Sequence, residues 1–489
     1  MLFSSLIFML FFLPVGYLLY CLTKDKYKNL VLLLLSLIFY SWGEIKYLWV
    51  LGLSFFVNYL CARWIAALDA KAEIVAGEVG RDGRGSIAEK VANAQSHKVR
   101  RKASYVLALD IVVSIGLLGL FKYANFFIDL LNRGFSLGIS QMDLALPLGI
   151  SFFTFQILSY TIDVYRGKVK VNKSVLEVAL YVALFPQLIA GPIVRYKDIE
   201  NELHNRKQDW DQVEQGVKLF ICGLASKVLM ANSFGAIWED MANIGYDNLS
   251  APMAWLGLIA FSMQIYFDFY GYSLMAIGLG KMFGFEFPQN FNYPYVSRSI
   301  TEFWRRWHMT LGSWFREYVY IPLGGNRRGK FRTFINLFIV WALTGFWHGA
   351  SLNFVCWGLY FFVFLMLEKA FLLKWLEKSK VLSHIYALFL IVFGWGIFAI
   401  TDFAELGNYI SHLFGAGGVD VSQCIYYASN HIPLLILGVL LQIPVLCHGV
   451  YEKLQHKKVL GCICMICLLL ICLANLTASA YNPFLYFRF

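Results

Sequence analysis

The sequence predicts an all-α, polytopic membrane protein, and three observations carry that expectation. Of its 489 residues, 59% are hydrophobic and only 15% are charged. The mean hydropathy is +0.59, well outside the range of soluble domains. Apolar runs able to cross about 30 Å of hydrocarbon recur along the whole chain.

In order, these runs occupy 1–22, 29–45, 46–67, 103–127, 144–165, 213–235, 253–282, 384–401, 432–450 and 458–479. The first, MLFSSLIFMLFFLPVGYLLYCL, has no basic leader and no small-residue cleavage site, so it reads as a span and not as a signal peptide. Between 46–67 and 103–127 lies the hydrophilic stretch 68–102, with Gly77, Gly80, Gly83 and Gly85 and a basic end, HKVRRK. It reads as a cytoplasmic loop with room for a short helix. The segment 176–194, VLEVALYVALFPQLIAGPI, is expected to be a re-entrant hairpin broken at Phe185–Pro186 or at Gly191–Pro192. Region 333–373 is expected to leave and return on one side, its limbs meeting at GFWHGAS. Together these give about 11–12 membrane helices plus re-entrant elements. Residues 1–400 are expected to form one membrane domain, with 283–332 a cytoplasmic amphipathic segment, and 401–489 an extracytoplasmic loop and a C-terminal pair of spans.

Loop charge orients the chain. TKDKYKN, HKVRRK, RGKVKVNK, the 297–332 stretch and YEKLQHKK are basic and belong in the cytoplasm, whereas 236–252 and 400–423 carry acids and no Lys or Arg and belong outside. Both termini are then expected on the extracytoplasmic side. The net charge of +11 is divided among these short loops, a distribution that sets orientation and does not suit a nucleic acid. The ten cysteines include Cys462, Cys464 and Cys467 in GCICMIC, but no fourth ligand accompanies them. They read as small buried apolar side chains, and no metal site is expected.

Two histidines stand out. If the limb 334–346 is helical it is about 20 Å long, which leaves His348 inside the bilayer, near Asn336, Trp341, Thr344 and Trp347. A histidine there either pins helices together or marks a reaction centre facing an aqueous tunnel. His308 lies in FWRRWHMTLGSWFREYVYIPLGG, among Trp304, Arg305, Arg306 and Arg316. This stretch reads as an interfacial helix with Phe303, Trp307, Leu311, Trp314 and Phe315 on one face. Its arginines and aromatic rings also suit a phosphorylated donor such as coenzyme A, or a phosphopantetheine arm. Gln264 and Asp268 are four residues apart and share a helix face; they either pin neighbouring helices or line the same cavity. A deep imidazole with no metal set and no phosphate-cradling loop suits general-base acyl transfer from a thioester to an alcohol.

The segments PLGISFFTFQILSYTIDVYRG, FPQLIAGPIVRY, QIYFDFYGYSLMAIGLG, FGFEFPQNFNYPY, SITEFWRRWHMTLGSWFREYVYIPLGGNRRG and LTGFWHGASLNFVCWGLY resemble, in this order and spacing, the membrane-bound O-acyltransferases. The resemblance is to the bacterial branch that includes the membrane subunit of alginate O-acetylation, and it runs from residue 1 to about 365. Tyr270 stands where Ser is usual, and Leu274 where Asp is usual.

The resemblance implies a ring of helices around a thin core crossed by a tunnel. It makes His348 the family's essential histidine and places His308 in a second histidine motif. It also implies acetyl transfer from a cytoplasmic thioester, acetyl-CoA, to a hydroxyl of an exported polysaccharide or peptidoglycan. No bound cofactor is implied. An SGNH-like extracytoplasmic partner would complete delivery. The alternatives are D-alanyl transfer to teichoic acid, a transporter in which His348 relays protons or ions, and a non-catalytic scaffold of a polysaccharide-export complex.

Overall fold

The computed structural model describes residues 1–81, 86–478 and Leu485, of which 75–81, 86–95 and 455 are described by backbone alone. Every element among them is helical. The chain forms two compact units, one of Met1, Phe12–Lys207 and Gly284–Phe287, the other of Leu2–Phe11, Gln208–Phe283 and Pro288–Phe489.

The first unit holds α1 (Leu13–Leu22), α2 (Lys28–Glu44), α3 (Leu48–Arg81), α4 (Ser86–Leu118), α5 (Ala124–Phe135), α6 (Ile150–Tyr165), α7 (Val175–Ala183), α8 (Phe185–Leu188) and α9 (Tyr196–Asn205). Helices α2 and α3 are divided at Glu44, whose backbone leaves the helical region at φ −143°, ψ 43°. The hydrophilic stretch 68–102 holds more helix than the short one expected: α3 and α4 run into it from both sides, because its Ala, Lys and Glu residues are good helix formers. Gly83 and Gly85 lie outside the described residues. The 176–194 segment breaks at Leu184 (φ −55°, ψ 109°), one residue before the expected Phe185–Pro186, which instead opens α8, and again at the bend around Gly191, at φ 113°, as expected.

The second unit holds α10 (Trp210–Ala225), α11 (Asn232–Ile244), α12 (Ala251–Met282), α13 (Ile300–Arg306), α14 (Met309–Phe315), α15 (Lys330–His348), α16 (Leu352–Leu367), α17 (Leu373–Leu376), α18 (Lys380–Ala399), α19 (Phe403–Leu413), α20 (Ser422–Asn430), α21 (Ile432–Leu440), α22 (Pro444–His456) and α23 (Lys458–Ala478). Helices α10 and α12 press backbone to backbone: a Cβ on Gly223 would lie 2.5 Å from the Gly271 carbonyl oxygen, and one on Gly271 would lie 2.6 Å from that of Gly223. Small residues at the crossing permit that approach.

Among the described residues, six helical segments are long and apolar enough to cross a membrane, or seven if the pair α20–α21, bent by 70°, counts as one. The protein is thus a multi-pass membrane protein. This count is lower than the 11–12 helices expected, partly because several runs are divided. The run 432–450 stops at residues 441–443, since Pro444 has no N–H to continue a helix. Cys462 and Cys467, expected to be buried, are exposed on α23, one of the apolar segments that can span.

Candidate active site

The first histidine is placed by a helical hairpin. Helix α15 is 19 residues long, about 28 Å, and ends on His348 itself, so the limb is longer than the 334–346 stretch expected. The break between α15 and α16 falls at residues 349–351, within the GFWHGAS sequence where the limbs were expected to meet. The limbs pack closely because a Cβ on Gly358 would lie 2.4 Å from the Trp341 carbonyl oxygen, and one on Gly345 would lie 2.2 Å from that of Phe354. Asn353 Nδ2 then donates to the Ile397 and Phe398 carbonyls, at 3.2 Å each, and ties the start of α16 to the end of α18. His348 is buried, with its ring near those of Trp347 (5.1 Å), Trp357 (5.1 Å) and Phe398 (5.4 Å).

The second histidine sits at a corner. The interfacial helix expected over 303–315 is divided by His308, whose backbone is left-handed at φ 44°, ψ 53°. Its expected apolar face is nonetheless buried throughout, at Phe303, Trp307, Leu311, Trp314 and Phe315. The corner is held from both sides. The Glu368 carboxylate is buried and accepts from the N–H groups of Ile300 (2.6 Å) and Thr301 (2.8 Å), capping α13. The 288–292 strand of chain runs alongside, with Asn292 N–H donating to the Arg306 carbonyl and Met309 N–H to the Asn290 carbonyl, at 2.9 Å each. His308 is buried and its Nδ1 lies 3.0 Å from Asn290 Oδ1. Its Nε2 has no protein partner among the described residues. Burial first, and His348 second, push this imidazole well below its ordinary pKa.

Each histidine lines its own cavity. The larger, about 230 Å³, has His308, Trp304, Trp307, Arg316, Trp341 and Thr344 among its walls. The smaller, about 20 Å³, is lined by His348 together with Asp268, Phe269, Trp307, Trp395 and Leu485. Trp307 is therefore in the wall of both. The Trp347 ring lies 5.9 Å from that of His308 and 5.1 Å from that of His348. Trp304, like His308, contributes a buried polar atom without a protein partner among the described residues, its Nε1–H donor.

Of the residues singled out from sequence, His348 and Asp268 meet at the smaller cavity, and His308, Trp304, Trp341 and Arg316 at the larger. Trp347 touches both imidazoles. The other four lie elsewhere. Asn336 Nδ2 donates to the Gly325 carbonyl at 2.9 Å, fastening the preceding loop to α15. Gln264 is buried on α12 but lines neither cavity. Arg305 is exposed, and Arg306 pairs with Glu302 at 2.9 Å.

Sequence reasoning missed three participants. Lys227 Nζ lies 2.9 Å from Asp268 Oδ1 and donates to Asn232 Oδ1 at 2.8 Å. Leu485 N–H donates to Asp268 Oδ2 at 2.9 Å. Asn290 holds His308. A lysine inside the apolar run 213–235 was itself a legible signal, since ionisable groups there need a partner; Asn290 and Leu485 carry no local signature.

Known proteins are similar to this chain along most of its length. A family model described as MBOAT, membrane-bound O-acyltransferase family, matches residues 168–409. The probable alginate O-acetylase AlgI of Pseudomonas syringae pv. tomato is 39% identical over 430 residues, covering 86% of this chain and 77% of that protein. The peptidoglycan O-acetyltransferase of Helicobacter pylori is 32% identical over 469 residues, covering 88% and 83%. The teichoic acid D-alanyltransferase of Streptococcus thermophilus is 29% identical over 257 residues, covering 48% and 59%. With two relatives above 30% identity along most of both chains, and with the helical fold described above, this protein belongs to the membrane-bound O-acyltransferase family and is an O-acyltransferase.

Proposed function

We propose that the protein moves acetyl groups from a cytoplasmic thioester, acetyl-CoA, to a hydroxyl of an exported cell-surface polysaccharide or peptidoglycan. The acetyl assignment is supported by the relatives of Pseudomonas syringae and Helicobacter pylori, both named as O-acetylating proteins and both similar along most of their length. The observation that carries the site is the pair of adjoining cavities, one lined by each histidine, with Trp307 in both walls.

In this reading the thioester arm enters the larger cavity. Its walls are mainly apolar, and the unpartnered Trp304 Nε1–H and His308 Nε2 complement a carbonyl and an N–H, the two ends of a pantetheine amide. Arg316 supplies the permanent positive charge among the lining residues, suited to phosphate. The acceptor hydroxyl meets His348. Neutral imidazole takes the hydroxyl proton as the oxygen attacks the thioester carbonyl; a C–O bond forms, the C–S bond breaks, and the proton passes to the departing thiolate. An extracytoplasmic SGNH-like protein completes delivery to the polymer, and the membrane is the bacterial cytoplasmic one.

The test is reconstitution of the purified protein in vesicles with radiolabelled acetyl-CoA and alginate or peptidoglycan oligosaccharides, with any partner protein added. Thioester consumption matched by alkali-labile label on the saccharide is expected. Preference for a D-alanyl thioester would move the assignment to teichoic acid chemistry.

A further inference from the structure

The histidine at the corner between α13 and α14 is fixed by more than burial. Asn290 Oδ1 lies 3.0 Å from His308 Nδ1 and accepts from the Thr310 hydroxyl at 2.8 Å and from the Thr310 backbone N–H at 3.4 Å. On its other side, Asn290 Nδ2 donates to Ser273 Oγ at 3.2 Å. A backbone N–H can only donate, so the amide oxygen and not the NH₂ faces Thr310 and His308. An oxygen acceptor facing Nδ1 requires Nδ1 to carry the proton. In a neutral ring Nε2 is then a bare acceptor, and it is the ring atom without a protein partner among the described residues.

We propose that Asn290 is a positioning residue that locks His308 as the Nδ1–H tautomer and so makes the larger cavity present a hydrogen-bond acceptor to its ligand. The role in turnover rests on the acyl-transfer reading given above, whereas the tautomer does not. The chemistry selects what sits against His308: an N–H or O–H donor, as a pantetheine amide supplies, and not a carboxylate or a carbonyl. The left-handed backbone at His308 is an uncommon conformation for a residue with a side chain. The two backbone hydrogen bonds from the 290–292 stretch hold it, so one short segment sets both the ring's position and its proton. Removing the hydrogen-bond partner that orients a metal-ligating imidazole typically costs about 10–100-fold in affinity or activity, and a loss of that order is expected for His308.

The test uses the full-length protein in lipid nanodiscs with ¹⁵N-labelled histidine. The His308 signals, assigned by their loss in His308→Gln, are expected to show a protonated Nδ1 and an unprotonated Nε2 without any substrate. Asn290→Leu should mix the tautomers and reduce acetyl transfer by about tenfold or more, with its thermal unfolding compared as a control for folding. Asn290→Asp still accepts from Nδ1, so it should keep the tautomer and most of the rate while moving the His308 titration to higher pH through its added negative charge. A protonated Nε2 in the unchanged protein, or an Asn290→Leu protein with tautomer and rate both intact, would overturn the proposal. If the unchanged protein shows a protonated Nδ1 and Asn290→Leu mixes the tautomers, but neither transfers acetyl, the acetyl-transfer reading fails and the tautomer lock stands.

Discussion

The ammonium of Lys227 lies 2.9 Å from the carboxylate of Asp268, with both side chains almost completely buried. The pair joins the π-helical stretch Ser226–Ala231, which continues α10 into α11, to α12, beside the close Gly223–Gly271 crossing. Asp268 also lines the smaller cavity with His348 and accepts from Leu485 N–H. One carboxylate thus connects a buried cation, the candidate site and the far C-terminal part of the chain.

Removing one partner strands the other charge. Lys227→Ala or Asp268→Ala should each destabilise the protein by roughly 3–5 kcal/mol, whereas the paired change Lys227→Met with Asp268→Leu should recover much of that loss. Thermal unfolding in a fixed detergent measures it. Equal losses in the single and double variants would contradict the pairing.

The α15–α16 hairpin makes a second prediction. In Gly358→Ala the new methyl meets the Trp341 carbonyl at 2.4 Å, backbone against side chain with nothing flexible to yield. Separating the limbs should cost about 1–3 kcal/mol and displace His348, lowering acyl transfer. Gly116→Ala on α4 is the control, because a Cβ there has nothing within 4 Å and alanine is the better helix former.

The titration of His308 follows from its surroundings. Burial and the nearby His348 lower its pKa, so the ring stays neutral as pH falls through its ordinary range near about 6.5 and takes up a proton only in more acidic solution. Any contribution that needs neutral His308 is therefore present above that lowered value and lost below it. Its ring resonances should not shift between about pH 8 and 6. A titration centred at or above the ordinary value would contradict the buried placement.

The arginines, adjacent in the same motif region, should separate. Arg316 lines the larger cavity and Arg305 is exposed away from it. Arg316→Ala should raise KM for acetyl-CoA by about tenfold or more, the loss of a charge-assisted contact, and leave KM for acetyl-pantetheine unchanged. Arg305→Ala should alter neither by more than about twofold. Equal sensitivity of both donors to Arg316→Ala would remove the phosphate role.

Periodicity and breaks made much of this site legible. The Phe303, Trp307, Leu311, Trp314 and Phe315 face is buried as the spacing implies, and the Gly349 region does end α15. A helical face says which residues go inward, but it cannot reveal a corner made by long-range contacts. The break at His308 depends on Asn290, and the start of α13 on Glu368, 68 residues away from Ile300. The same blindness explains Asn336 and Gln264. Polar residues in apolar runs announce that they need a partner, yet not whether it is a loop carbonyl, as for Asn336, or a substrate. The hydrophilic 68–102 stretch misled for the opposite reason, since a solvent-compatible composition is equally compatible with the extended helices α3 and α4.

In the proposed reaction His348 performs the transfer chemistry. The most direct measurement compares His348→Ala with the unchanged protein, both purified and reconstituted, with radiolabelled acetyl-CoA offered on the cytoplasmic side. Thioester consumption, label reaching an outside acceptor, donor binding and thermal unfolding are followed together. The variant is expected to fold and bind the donor but to lose transfer by about 10²-fold or more. Undiminished transfer by a folded His348→Ala protein would contradict it and move the chemistry to His308 or to a separate catalytic partner.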